Sequence, residues 1–273
     1  SGIFIMAGTA FGQGNVTSKN QLAGQRNVIT TAVPFLTITP DSRSAGMGDA
    51  GVARDADANS GHWNISSMAF IQKKAGLSLN AAPWLRQLVP DVWFYDLAGY
   101  TKVGRSNKSV VSASIRYFSL GEIQFTDDFA NPNGNANPYE MAVDLGYATQ
   151  LSENLSVGGA MRVVNSCLTC GATGTVGTTF KPGRAAAGDL GMYYKKPIKI
   201  GGKEGKFAFG ATITNIGNKI TYSTSAEKDF IPTNLRLGTS IKAVIDDHNE
   251  LSFNFDINKL LVPTYPVYYK SAS

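Results

Sequence analysis

Beyond residue 70, the chain repeats short segments in which apolar and polar residues alternate, and this pattern constrains the fold more than any other feature. In residues 250–260, Leu251, Phe253, Phe255 and Ile257 alternate with polar residues. A period of two places the apolar side chains on one face of a β-strand and the polar side chains on the other. The pattern therefore predicts strands with one apolar and one polar face.

About nine segments of this kind are present. They are residues 75–84, 93–103, 109–118, 140–150, 155–163, 186–195, 206–216, 233–245 and 250–260. A tilted strand needs about 9 to 11 residues to cross a bilayer, and each segment is long enough to do so. No run of about 18 apolar residues occurs in the sequence, which excludes a bundle of membrane-spanning helices.

The connections between the predicted strands alternate between short and long. The short ones are residues 104–108, 152–154 and 246–249. The long ones, rich in Asn, Gly, Thr and Pro, are residues 121–138, 166–184 and 217–231. Short turns at one end and long loops at the other are typical of outer-membrane barrels. Residues 197–205 form a connection of intermediate length, which fits this alternation less well.

A soluble β-sandwich also contains alternating strands and is the alternative fold. Two features favour the barrel: aromatic residues cluster near the predicted strand ends, and the polar faces carry charges of both signs. We therefore predict an all-β fold, a transmembrane antiparallel up-and-down β-barrel. The charged residues expected to face its lumen are Arg116, Asp144, Arg162, Asp189, Arg236 and Asp256.

Composition agrees with this fold class. Hydrophobic residues make up 43% of the chain and charged residues only 16%, which is too few charges for a typical cytosolic enzyme. The net charge of +5 could indicate binding to nucleic acid. The Lys and Arg residues are scattered, however, and neither a motif nor interleaved aromatic residues accompany them. Nucleic acid is therefore not an expected partner.

Residues 1–12 are apolar and uncharged, and a polar stretch follows them. Ala10 and Gly12 have the spacing of the small residues before a signal-peptide cleavage site, so this segment is interpreted as a signal-peptide remnant. An ordered N-terminal strand is the alternative. Export would bring Cys167 and Cys170 into an oxidising compartment, where they could form a disulfide. Zinc binding or redox activity is the other reading of this pair, but no second ligand pair and no helix N-terminus accompany it.

Residues 41–70 do not alternate. They are small, rich in Gly and Ala, and polar, a composition suited to a segment that passes close to other backbone. The stretch Gly46-Met47-Gly48 could begin a phosphate-binding loop, but no helix context and no βαβ unit follow it. We therefore expect no nucleotide and no other cofactor.

The same region carries a resemblance to a known family. It resembles the "R-x-x-G-M-G-x-A … W-N-P-A" hatch segment of the long-chain fatty-acid transporter (FadL-like) superfamily, with Ile65-Ser66 in place of Pro-Ala. The residues that match are Arg43, Gly46, Met47, Gly48, Trp63 and Asn64. Within that superfamily, residues 31–43, 214–217, 232–238 and 256–264 are most similar to the PorV family, the outer-membrane β-barrels of the type IX secretion system.

The resemblance implies a barrel of roughly 14 strands in the cell outer membrane, with an N-terminal hatch. Bacterial barrels have even strand numbers, so about nine strands cannot close alone, and we expect the barrel to be incomplete at its C-terminal side. The expected organisation is a signal-peptide remnant at residues 1–12, an N-terminal segment and hatch at residues 13–69, and the β-barrel at residues 70–273.

The resemblance also implies a non-enzymatic carrier. Such a protein accepts secreted cargo through the C-terminal signal domain of the cargo and delivers it to the cell-surface attachment complex. Its partners would be those cargo domains, the type IX translocon, the attachment-complex proteins and outer-membrane lipid. The candidate cargo-binding residues lie in one long loop and combine apolar with acidic character, although a merely solvated loop is the alternative. They are Phe125, Asp127, Asp128 and Phe129.

Two other functions are considered. A FadL-like outer-membrane transporter of hydrophobic small molecules needs an apolar pocket inside the barrel, whereas the predicted inner faces are polar and charged. An outer-membrane lipid hydrolase needs a base, and only His62 and His248 could supply one. No G-x-S-x-G nucleophile motif is present. We therefore expect no enzymatic activity and no bound metal.

Overall fold

The computed structural model describes residues 29–126, 129–170, 181–222, 228–246 and 248–263. The chain divides into two compact units, Thr31–Leu261 and a second unit of Ser1–Thr30 with Val262–Ser273. Nearly all of the described residues lie in the first unit. The predicted signal-peptide remnant, residues 1–12, lies outside them.

The first unit consists mainly of β-strands, which follow a stretch of short helices. The helices are two 3₁₀ helices, Pro34–Thr37 and Ile65–Phe70, and two α-helices, Ser42–Gly46 (α1) and Ser60–Trp63 (α2). The strands are Ala75–Pro83 (β1), Trp93–Val103 (β2), Ser109–Ser119 (β3), Ile123–Thr126 (β4), Pro132–Ala136 (β5), Tyr139–Gln150 (β6), Leu155–Cys167 (β7), Gly183–Ile200 (β8), Lys203–Gly217 (β9), Asn234–Val244 (β10) and Glu250–Leu260 (β11). No helix in the described ranges is long and apolar enough to cross a membrane.

Nine of the strands form one antiparallel sheet in the order β1-β2-β3-β6-β7-β8-β9-β10-β11. Each strand pairs with the next one along the chain, apart from β4 and β5, which form a separate hairpin between β3 and β6. All nine predicted segments are strands of this sheet, so the expectation of an all-β, up-and-down antiparallel architecture is confirmed. β1 and β11 are the edges of the sheet, which is not closed in the part of the chain described.

The connections alternate between tight turns at one end of the sheet and long loops at the other. The expectation of an intermediate connection at residues 197–205 was wrong. β8 continues to Ile200 and β9 begins at Lys203, so only Gly201 and Gly202 lie between them. Both glycines have positive φ angles, +59° and +80°, as a type I′ hairpin turn requires, and glycine adopts this conformation without steric cost.

The two faces of the sheet differ sharply in polarity. Leu79, Met161 and Phe253 lie on the outer face and are 74%, 73% and 68% exposed. Charged side chains such as Arg116 and Arg162 are buried on the inner face. A soluble sandwich has the opposite arrangement, with its apolar faces inside. An apolar outer face and a polar interior are typical of strands that face lipid.

Aromatic side chains lie on the outer face near the long-loop end of the sheet. The rings of Trp93 and Tyr95 stack with their centroids 5.9 Å apart, and those of Tyr117 and Tyr139 stack at 5.5 Å. Their position resembles the aromatic girdle at the water interface of a membrane barrel.

Residues 31–71, called the inner segment from here on, pack against the inner face of the sheet. Glycines on the strands make room for this segment. A Cβ atom added to Gly210 on β9 would lie 2.4 Å from the carbonyl oxygen of Val52. One added to Gly146 on β6 would lie 2.7 Å from Cδ1 of Ile65. The backbone of the inner segment therefore approaches the sheet as closely as glycine allows.

This packing predicts that Gly210→Ala destabilises the protein by about 1–3 kcal/mol, because the new methyl group overpacks the contact with Val52. The measurement is the midpoint of thermal unfolding of the purified chain in detergent. Gly46→Ala is the matched control, since a Cβ at Gly46 meets no atom within 4 Å. Equal midpoints for the two variants would contradict the close approach of Val52 to β9.

Candidate functional site

Four charged residues on the inner face form a ladder across four neighbouring strands. Arg116 of β3 donates from NH2 to Oδ2 of Asp144 on β6 at 3.0 Å. Asp144 also pairs with Arg162 of β7, which in turn donates from NH2 to Oδ2 of Asp189 on β8 at 2.9 Å. The signs therefore alternate along the ladder, and all four residues are buried. Buried charges are tolerated when each is paired and hydrogen-bonded in this way.

Asn215 on β9 extends the ladder. Its backbone N–H donates to Oδ1 of Asp189 at 2.7 Å, its side-chain oxygen accepts from Arg162, and its Nδ2 donates to the carbonyl of Pro232 at 3.0 Å. Asn215 has a φ of +59°, a left-handed conformation that asparagine tolerates better than most residues. In the sequence, Asn215 stands out only as part of the family resemblance at residues 214–217, and no role in the site was predicted for it. Gly217, two residues later, is the only nearby sign of irregular backbone.

The other two residues expected to face the lumen, Arg236 on β10 and Asp256 on β11, contact the inner segment. The guanidinium carbon of Arg236 lies 5.0 Å from the ring centroid of Trp63, within the range of a cation–π contact. Oδ2 of Asp256 accepts hydrogen bonds from the backbone N–H groups of Gly51 and Val52 at 2.7 and 2.9 Å. These contacts fix the inner segment to the last two strands.

Trp63 and Asn64 of the predicted hatch motif hold the inner segment in place. Nε1 of Trp63 donates to Oδ2 of Asp41 at 3.0 Å. Nδ2 of Asn64 donates to the carbonyl of Val52 at 3.1 Å and to the carbonyl of Met192 on β8 at 3.0 Å. Asn64 therefore joins two parts of the inner segment to each other and to the sheet.

The other four motif residues lie around α1, away from the buried ladder. Arg43 is about half exposed, and its NH1 lies 3.2 Å from Oδ2 of Asp57. Gly48 has a φ of +71°, which explains a glycine there, whereas Gly46 has neither a positive φ nor a close neighbour. The sulfur of Met47 lies 3.8 Å from Nδ2 of Asn254 on β11.

Arg54 is the centre of a second group of charges, within the inner segment, that the sequence analysis did not single out. It is buried, its NH2 lies 3.6 Å from Oδ1 of Asp41, and it also pairs with Asp57. Burial acts to raise the pKa of Asp57, but the hydrogen bonds and charge of Arg54 outweigh it, so the pKa lies below its usual value. Asp41 also caps the N-terminus of α1, because its side chain accepts a hydrogen bond from the backbone N–H of Ser44 at 2.8 Å. An Asp directly before Ser-x-Ser is a sequence signal that could have identified this cap.

His62 connects the inner segment to the ladder. Its Nδ1 lies 3.0 Å from NH1 of Arg116, and its Nε2 is shielded from solvent although the residue keeps some exposed surface. Burial lowers the pKa of the imidazole well below its usual value, and the charges of Arg116 and other nearby arginines lower it further. His62 is therefore neutral at pH 7, and its Nδ1 accepts the hydrogen bond from Arg116.

The predicted cargo-binding residues are only partly described. Phe125 is half-buried in β4, and Phe129 is 86% exposed just beyond this strand. Asp127 and Asp128 lie outside the described residues. The structure therefore places the two phenylalanines on one hairpin at the long-loop end and leaves the acidic part of this expectation a prediction.

Cys167 and Cys170 are joined by a disulfide, with their Cα atoms 5.4 Å apart, where β7 ends and a long loop begins. His248, the second histidine, lies exposed in the tight turn between β10 and β11, where its backbone N–H donates to Asp246. The two histidines thus occupy a network of buried charges and a solvated turn, respectively.

A cavity of about 760 Å³ lies at the tight-turn end of the inner face. Its cationic lining consists largely of Lys195, Lys206 and Lys242 from three neighbouring strands. Lys206 and Lys242 both pair with Asp55, whereas Lys195 lies 4.1 Å from the ring centroid of Phe70. The remaining lining includes several apolar and aromatic side chains, so the cavity has mixed character.

The comparison with known families agrees with this geometry. The sequence model of the family described as "Type IX secretion system protein PorV" matches residues 21–267, nearly the whole chain. The chain belongs to the PorV family. PorV proteins are outer-membrane components of the type IX secretion system, and the family is not a family of enzymes. Among curated proteins, none gives a significant match.

The ladder predicts that Asp144→Asn destabilises this PorV family member by about 3 kcal/mol, because it leaves Arg116 and Arg162 buried without their shared carboxylate. Chemical denaturation in detergent measures the change. Glu153→Gln removes a carboxylate from an exposed tight turn and serves as the control. A loss below about 1 kcal/mol for Asp144→Asn would show that the ladder contributes little to stability.

His62 predicts a pH dependence of stability. In the unfolded chain the imidazole takes up a proton below about pH 6.5, whereas in the folded chain its lowered pKa keeps it neutral. The contribution of neutral His62 to the free energy of unfolding is therefore complete above about pH 6.5. It declines as the pH falls, by up to about 1.4 kcal/mol per pH unit. Denaturation between pH 7 and pH 5 should show a shallower decline in His62→Gln than in the parent. His248→Gln is the control. If the free energy of unfolding of His62→Gln falls with pH as steeply as that of the parent, this assignment is wrong.

Proposed function

We propose that this protein is a non-enzymatic carrier of the type IX secretion system. It accepts secreted cargo through the C-terminal signal domain of the cargo and delivers the cargo to the cell-surface attachment complex. The observation that carries this proposal is the filled inner face of the sheet, to which Asn64, Asp256 and other residues fix the inner segment. Because the described inner segment occupies the inner face of the sheet, we assign the handling of cargo to the outer surfaces and loops.

The long-loop end is the face that we assign to cargo. In outer-membrane barrels the long loops lie outside the cell and the short turns lie in the periplasm. The hairpin of β4 and β5 is at this end and carries Phe129, which is 86% exposed, and Ile123, which is 44% exposed. Exposed apolar side chains with polar surroundings often mark protein interaction sites.

The two regions of the chain take different parts in this proposal. The N-terminal segment and hatch are assigned to residues 13–69, and this is supported by the packing of the described residues 31–69 against the inner face of the sheet. The barrel region, residues 70–273, provides the anchor, and its apolar outer face contacts outer-membrane lipid. The translocon and the attachment complex then bind the same membrane-anchored protein one after the other.

This proposal predicts that replacing residues 121–138 by a Gly/Ser linker abolishes co-purification of cargo with the protein. Phe129→Ser should weaken cargo recovery severalfold, because it removes exposed apolar surface from the hairpin. Leu88→Ser is the matched control, since Leu88 is 79% exposed on the neighbouring long loop. Full cargo recovery with the linker variant, at equal amounts of protein in the outer membrane, would rule out this hairpin as the cargo site.

A FadL-like transporter of hydrophobic small molecules is the second candidate function, and the cavity of about 760 Å³ favours it. Phe70, Tyr100 and Tyr193 supply aromatic surface there, and the lysines supply positive charge. Extraction of the purified chain with organic solvent followed by mass spectrometry distinguishes the two functions. A stoichiometric hydrophobic molecule that is lost in Phe70→Ser, which alters the lining of this cavity, would favour the transporter. No such molecule, or one that Phe70→Ser leaves bound, would favour the carrier.

A further inference from the structure

A second cavity, of about 430 Å³, lies at the long-loop end of β8 and β9. The described residues that line it include four cations and no carboxylate. The cations are Lys181, Arg184, Lys219 and Lys228. Asn218 and Thr221 also line the cavity. Four positive charges around one cavity repel one another, so an anion bound among them is strongly favoured.

This cationic cavity faces the outer side of the sheet. Arg184 is exposed and lies on the same face of β8 as Ala186, Gly188 and Leu190, because alternate residues of a strand share a face. Asn218, which also lines the cavity, accepts a hydrogen bond from the N–H of Ala186 at 2.7 Å. The cavity thus lies at the long-loop edge of the apolar outer surface.

An apolar groove of about 570 Å³ lies on the same outer face. It forms because Gly159 of β7 and Gly188 of β8 leave space between larger side chains. The larger neighbours are Leu145, Met161, Leu190 and Ile216. Gly188 and Arg184 are four residues apart on β8, or about 13 Å along the strand. The groove and the cavity therefore both border the outer face of β8, with the groove nearer the centre of the strand and the cavity at its long-loop end.

We propose that the cavity and the groove form one binding site for a phosphorylated, acylated lipid of the outer leaflet. The phosphate groups bind the four cations, and an acyl chain lies in the groove. Lys and Arg bind phosphate through charge-assisted hydrogen bonds, and cations near a membrane surface attract anionic lipid. The groove adds the favourable burial of apolar surface. This proposal rests on the placement of the sheet in the outer membrane with its long loops outside.

The groove distinguishes a lipid from a soluble anion. Inorganic phosphate would contact the cations alone and gain nothing from Gly159, Gly188 or Leu190. A zwitterionic phospholipid would fill the groove but bring no net negative charge to the cations. Only a lipid with both properties uses both parts of the site.

The test measures binding of lipid A, with and without its two phosphates, to the purified full chain in detergent. We expect the parent to bind the phosphorylated form at least about tenfold more tightly, and this preference should decline as salt is added. Lys181→Glu combined with Lys219→Glu should abolish the preference. Gly188→Leu should weaken both forms by a similar factor because it fills the groove, and an added Cβ there meets only the carbonyl oxygen of Ala160 at 3.6 Å.

The control for charge is Lys108→Glu combined with Lys199→Glu, which makes the same charge change at the tight-turn end and should leave the preference unchanged. Equal affinity of the parent for the two forms of lipid A would overturn the proposal. Competition by inorganic phosphate together with no effect of Gly188→Leu would also overturn it, in favour of a soluble-anion site. If the variant with Lys181→Glu and Lys219→Glu does not fold, the salt dependence of the parent decides. A preference of the parent for phosphorylated lipid A that does not change with salt overturns the proposal. Cargo recovery is measured separately, so loss of the carrier function would leave this result interpretable.

Discussion

The pairing of Arg116, Asp144, Arg162 and Asp189 is the interaction on which the rest of the structure depends. A sheet with an apolar outer face must place its polar residues inside, where charges are stable only with partners. The alternating signs meet this condition across four strands, and they leave further donors for the inner segment, such as NH1 of Arg116, which contacts His62 and the carbonyl of Leu36. Such a network specifies the register of the strands as well as the position of the segment.

The strands could be predicted from the sequence because most of each one alternates, and the environment of lipid outside and polar groups inside imposes that period. The turn at Gly201 and Gly202 could not be placed as well. The alternation is weak in the outer part of β8, where Lys195, Lys196 and Pro197 interrupt it, and a glycine pair within a polar stretch is compatible with a longer loop. The hairpin of β4 and β5 was missed because its residues carry the composition of a loop.

The candidate site was predictable only in part. Which residues face inward follows from the period of two, but which inward residues contact each other depends on register and on the path of residues 31–71. Neither is encoded locally. Asp41 and Arg54 therefore escaped notice, and His62 was considered only as a possible catalytic base. Each is an ordinary polar residue until the fold brings it to Trp63, Asp57 or Arg116. The cationic cavity was equally hidden, because its four cations are scattered in sequence between residues 181 and 228.

The contact of Asp256 with the backbone of Gly51 and Val52 has a consequence for the order of folding. It joins residues that are 205 and 204 positions apart in the chain. Closing so long a loop costs entropy that local contacts do not recover, so long-range pairings of this kind form late. We therefore expect the inner segment, which precedes the strands in the chain, to reach its final position only after β11 has joined the sheet. Until then, the inner-face groups that bond to this segment, such as the carboxylate of Asp256, would need water as their partner.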